Sequence, residues 1–143
     1  MRRKQATTQL ASLRLVRYRV RTMPNALPYG IYAILDLDRV APHLSDDPDE
    51  ELTTLKRYVV DAADAGAAVV QLRAKSVPGH SLWLPQLIAH LREALAGRIP
   101  LVVNDHVGAV ELLTERAGVG VHLGQDDATP QHGRARLGDD VLI

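Results

Sequence analysis

IPLVVNDHVGAVELLTERAGVGVHLGQDD, residues 99–127, is the stretch that decides how this chain is read. Two short apolar runs, Ile99–Val103 and Val119–Leu123, stop abruptly in polar residues. The first stops in Asn104-Asp105 and the second in Gly124-Gln125-Asp126-Asp127. A helical pattern at Val107–Arg116 lies between them, so the unit reads strand, helix, strand. Consecutive strands joined by a helix run parallel. Their carboxyl ends then bring Asp105 and Asp127 to one edge of one sheet, and a divalent cation is the first explanation for two carboxylates there.

The same unit repeats outward from this stretch. GIYAIL, residues 30–35, reads as a buried strand followed by a polar loop with Asp36, Asp38 and Arg39. After the loop Val40–Asp47, Asp47 serves as N-cap and Pro48 as first helical residue. Asp49, Glu50 and Glu51 complement the positive end of the helix dipole. Leu52, Leu55, Val59 and Ala62 repeat at helical spacing, and Gly66 stops the helix. Ala67–Leu72 is the second strand. Ser81 is placed to cap a second helix, in which Leu84, Leu87, Ile88, Leu91 and Leu95 form a stripe closed by Gly97. Thr129-Pro130 opens a fourth helix that Gly138 ends, and Val141–Ile143 begins a fifth strand.

Four βα units call for a parallel α/β sheet, and near-continuous apolar strands call for cover on both faces. Polar residues follow each of the first four strands at the carboxyl end, as in (β/α)8 barrels and doubly wound sheets. No glycine-rich turn follows the first strand, which favours the (β/α)8 TIM barrel. A barrel needs roughly 200 residues or more, so 143 residues are expected to hold about its first half.

Net charge is zero, yet residues 1–28 carry seven basic residues and no acid, leaving the remainder at minus seven. An acidic body argues against nucleic-acid binding. The basic extension, residues 1–28, reads as a disordered tail, an organellar transit peptide, or upstream sequence ahead of a start at Met23; residues 29–143 are the barrel portion. Phe and Cys are absent, which excludes disulfides and thiolate metal sites and is compatible with a cytoplasmic location. No apolar run approaches the ~20 residues that span a bilayer.

Chemistry concentrates after strand two and beside the two acids. Gln71, Arg73 and Lys75 alternate, so an extended segment points them the same way. A guanidinium and an ammonium converging there match a phosphate or diphosphate; two solvated loop charges are the plainer alternative. Gln71 ends an apolar run and needs a polar partner when buried. Asp105 and Asp127 offer hard oxygen ligands for Mg²⁺, which takes one or two carboxylates plus phosphate oxygens. The local alternative makes Asp105 a cap of helix three and Asp126 or Asp127 part of the entry to helix four.

QLRAK at 71–75, PLVVND at 100–105 and GVHLGQDD at 120–127, in that order, resemble thiamine phosphate synthases, with the likeness running from Tyr29 to Ile143. The resemblance implies a (β/α)8 barrel that condenses a hydroxymethylpyrimidine diphosphate with a thiazole phosphate, releasing diphosphate with Mg²⁺. It implies that Gln71, Arg73, Lys75 and Asn104 bind the pyrimidine diphosphate, with Arg73 and Lys75 stabilising the leaving group. Asp105 and Asp127 become the Mg²⁺ ligands. The sequence departs from the family pattern at Gly118-Val119-Gly120, in place of Ala-Asp-Gly, and at His106. The segment from Asp105 to His122 is longer than expected, which lengthens helix three or its exit. His122, inside strand four, is read as structural. Two other readings remain open, a thiazole tautomerase-like barrel and a non-catalytic half-barrel. An open half-barrel is expected to self-associate through its exposed edge.

Overall fold

The computed structural model describes residues 30–124 and 129–143, and the basic extension lies outside them. The aliphatic runs become strands β1 (Ile31–Asp36), β2 (Ala67–Arg73), β3 (Leu101–Asn104) and β4 (Val119–His122). They form one parallel sheet in the order β1-β2-β3-β4. A helix follows each strand: the short α1 (Leu37–Val40) and long α2 (Pro48–Asp64) after β1, then α3 (Trp83–Leu95), α4 (Val107–Glu111) and α5 (Pro130–Leu137). The register sets three complete rows across the sheet, and the middle one, Ile34, Gln71, Val102 and Gly120, continues through a parallel bridge to Leu142. The predicted fifth strand is present as this single bridge.

Several local predictions hold for the reasons given. Asp47 Oδ1 accepts from the amides of Asp49 and Glu50 at 2.9 and 3.1 Å, which contributes ~1 kcal/mol of helix stability. Thr129 Oγ1 accepts from His132 N at 3.2 Å ahead of Pro130. Gly66 and Gly138 take the left-handed φ of 90° and 83° that ends each helix.

Others are corrected. Ser81 does not cap α3: its own amide closes the Pro78–Ser81 turn at 2.9 Å, and the helix starts at Trp83 without a side-chain cap. The loop after β1 begins with the helical turn α1, capped by Asp36. Helix three ends at Glu111, not Arg116, because the Arg116 guanidinium takes the Glu111 carbonyl at 2.7 Å that the next turn would use. The extra length between Asp105 and His122 is therefore non-helical.

The core lies on one side of the sheet. Leu72, Leu101, Val103 and Val119 pack against Leu55, Val59, Leu84, Ile88 and Leu91 from the helices, all 2 % exposed or less. Sequential strand order with crossovers of one hand keeps every helix on the same face. The face away from the helices is open toward β1, where Tyr32 and Ile34 are 38 % and 58 % exposed, whereas Val69 and Val102 on the same face are 1 % and 3 % exposed. The doubly wound alternative has no order reversal here to support it. The described residues form an open parallel sheet.

Gly120 is required by close approach. A Cβ there would lie 2.9 Å from Leu142 Cβ and 3.0 Å from its carbonyl oxygen. Only glycine lets the 141–143 segment come close enough for the Leu142 carbonyl to accept from Val121 N at 2.7 Å.

Candidate functional site

The face opposite the helices carries its polar groups at the carboxyl edge. Strand pairing sets Asp36 beside Arg73 and Asn104 beside His122, and the Leu72–Val103 pair joins the two halves into one row. One row deeper sits Gln71, between Ile34 and Val102. Alternation places all five side chains opposite the helix layer.

Three hydrogen bonds tie the middle of this row together. Among the described residues, Gln71 and Asn104 are the buried polar side chains, 6 % and 7 % exposed. Gln71 Nε2 donates to Asn104 Oδ1 at 2.9 Å, and His122 Nδ1 lies 3.1 Å from the same oxygen. Asn104 Nδ2 donates in turn to Asp105 Oδ2. Gln71 thus finds the buried partner that its place at the end of an apolar run required.

Asp105 leaves the strand with φ at 65°, the left-handed region. Asp tolerates this better than most residues, though it still costs energy and persists where neighbours enforce it. Its amide donates to the His122 carbonyl at 2.9 Å. The reading of Asp105 as a cap of helix three is not what forms: the N-cap position of α4 belongs to His106, without a side-chain cap. His106 Nε2 instead lies 2.9 Å from the Ala74 carbonyl, joining the end of β3 to the loop after β2.

At the β2 end, Arg73 Nη1 meets Asp36 Oδ2 at 2.5 Å, with the Arg73 side chain 32 % exposed and that of Asp36 13 %. Arg39 stands 3.8 Å from the same carboxylate. The pair fixes one arm of the guanidinium, and its five donors leave others for a ligand. Lys75 lies past the end of β2 in an exposed turn. The alternating triplet is therefore split by depth: Gln71 buried, Arg73 at the rim and Lys75 in solvent. Asp126 and Asp127 lie outside the described residues. Among the described residues no three His, Cys, Asp or Glu side chains gather as a metal cage.

Asp36 and His122 are the site-edge residues that the sequence did not single out. His122 was read as structural, yet it is exposed and bonded to Asn104. The signal was in β4 itself, where Gly120 and His122 alternate with Val119 and Val121. Away from the edge, burial raises the Tyr32 hydroxyl above its ordinary pKa. The hydrogen bond from Arg136 holds Glu111 below the usual carboxylate value.

A family model described as thiamine monophosphate synthase matches residues 44–143. A protein of Psychrobacter sp. named thiamine-phosphate synthase is 38 % identical over 85 residues, 59 % of this chain and 38 % of that protein. Proteins of the same name from Azorhizobium caulinodans and Xanthobacter autotrophicus are 37 % identical over 103 residues and 46 % over 90. Those matches cover 66 % and 59 % of this chain, and 44 % and 38 % of the relatives. The chain thus spans less than half the length of these relatives.

Proposed function

The chain belongs to the thiamine monophosphate synthase family, and from that premise we propose that its exposed sheet edge binds the diphosphate of a hydroxymethylpyrimidine diphosphate for condensation with a thiazole phosphate. The observation that carries this reading is the row Asp36, Arg73, Asn104 and His122, with Gln71 beneath it. It is the polar part of an otherwise aliphatic face, and it supplies both a cation and amide groups.

In this reading the sheet is the first part of a (β/α)8 barrel in residues 29–143, and its open face is the inside of that barrel. Arg73, steadied by Asp36, directs its remaining donors at the diphosphate, where charge-assisted hydrogen bonds are strongest. Lys75 adds a mobile ammonium from the rim. Asn104 and Gln71 order the floor beneath the ring. As diphosphate leaves, negative charge grows on its oxygens, and fixed cations already in place stabilise that change by several kcal/mol, on the order found for such preorganised groups.

Mg²⁺ fits the residues present. Asp105 is a hard oxygen donor, half-buried beside the cation row, with one oxygen held by Asn104. Such an ion needs only one or two carboxylates beside phosphate oxygens. Asp105 and Asp127 would hold it. When bound, it offsets diphosphate charge.

Titrating the pyrimidine diphosphate into the chain with and without Mg²⁺ tests the reading. Mg²⁺-dependent binding that Asp105→Ala abolishes is the expected result. Binding indifferent to Mg²⁺ and to Asp105 would overturn it.

A further inference from the structure

We infer that His122 is a positioning residue: its Nδ1–H, together with Gln71, locks the Asn104 amide so that the Asn104 NH₂ is committed to Asp105. Asn104 Oδ1 can only accept, and it has two lone pairs. Gln71 Nε2 lies 2.9 Å from it and His122 Nδ1 lies 3.1 Å from it. The ring nitrogen facing a carbonyl oxygen must carry a proton, so neutral His122 is the Nδ1–H tautomer. That is the less common form of free histidine, and this contact selects it.

The opposite orientation of Asn104 is disfavoured because it would turn Oδ1 onto the Asp105 carboxylate, acceptor against acceptor. An amide's direction is fixed by such a network and not by its shape. With both lone pairs filled, the Asn104 NH₂ is left to Asp105 Oδ2. His122 also reaches Asp105 directly, since its carbonyl accepts the Asp105 amide at 2.9 Å. Asp105 at φ 65° is therefore held by His122 along two routes, one through the main chain and one through Asn104. Burial does not account for a histidine here, because the residue is exposed at the end of β4.

The tautomer stands on the hydrogen bonds alone. Its consequence, a carboxylate oriented for Mg²⁺ and diphosphate, rests on the function proposed above. Two measurements separate them. In ¹⁵N-labelled full chain at mildly alkaline pH, two-bond ring correlations should show Nδ1 protonated and Nε2 bare. An Nε2–H ring would overturn the inference whatever the function. For the second, inorganic diphosphate with Mg²⁺ is titrated into wild type, His122→Leu and His122→Gln. Leu should weaken binding by roughly tenfold or more, the usual cost of losing a group that orients a metal ligand. Gln, whose amide can still donate to Asn104, should restore most of it. If both variants bind as wild type does, His122 positions nothing. If wild type fails to bind, the proposed function is at fault and the tautomer alone decides. If His122→Leu does not fold, the ring-correlation measurement alone decides.

Discussion

The two faces of this sheet are made from the same strands, one residue out of step. On one face Val70, Leu72, Leu101, Val103, Val119 and Val121 meet the helices and are all 3 % exposed or less. On the other, Ile34, Gln71, Arg73, Asn104 and His122 run from an uncovered aliphatic to a bonded polar edge. Parity along a strand thus divides labour, with the covered face carrying stability and the open face carrying chemistry. Substitutions at neighbouring positions should separate the two.

The largest effect is expected on the covered side. Leu72→Ala removes a side chain with no exposed area and should cost ~2–5 kcal/mol in denaturant unfolding. A loss below ~1 kcal/mol would mean that this face is not the core. Next door, Arg73→Ala should weaken Mg²⁺–diphosphate binding by ~1.5–3 kcal/mol, the scale of a hydrogen bond to a charged group. Its effect on stability should stay below ~1 kcal/mol, because its ion pair with Asp36 is one-third exposed on the Arg side. Equal effects on folding and binding would erase the distinction between the faces.

Smaller effects sharpen it further. Ile34→Thr, at a 58 % exposed position, should change stability by no more than ~0.5 kcal/mol. A larger loss, growing with protein concentration, would show a second copy covering the open face and so support self-association. The smallest effect belongs to Glu111, hydrogen-bonded to Arg136 across α4 and α5. Its carboxyl pKa lies below the ordinary value because of that arginine. The stabilisation is present above the ordinary carboxylate pKa and fades as pH falls through the lowered one. Wild type should therefore be slightly more stable than Glu111→Gln at neutral pH, and the two should converge in acid.

The elements were legible because capping and periodicity are local. Asp47-Pro48 and Thr129-Pro130 open their helices for reasons contained in a few residues. What stayed hidden depends on register. Nothing near Asp36 says that it will lie beside Arg73, thirty-seven residues on. Arg116 ends α4 by reaching back to Glu111, which helical spacing alone does not reveal. Arg73 and Gln71 were read as one face correctly, but Lys75 lies past the strand, where alternation no longer holds. His122 ends the apolar run of β4 and is exposed there, bonded to Asn104, a contact that only the strand register reveals. The parity with Gly120 pointed to the open face. The second acid, Asp127, lies outside the described residues, so its pairing with Asp105 remains part of the proposal.

Mapping the binding of Mg²⁺ and inorganic diphosphate by amide and side-chain NMR shifts on the full chain tests the division of faces most directly. The account predicts saturable, Mg²⁺-dependent shifts centred on Gln71, Arg73, Lys75, Asn104, Asp105, His122 and Asp127, with Leu72, Val103 and Val121 unmoved. Shifts centred on the helix-covered residues, or none at saturating ligand, would contradict it.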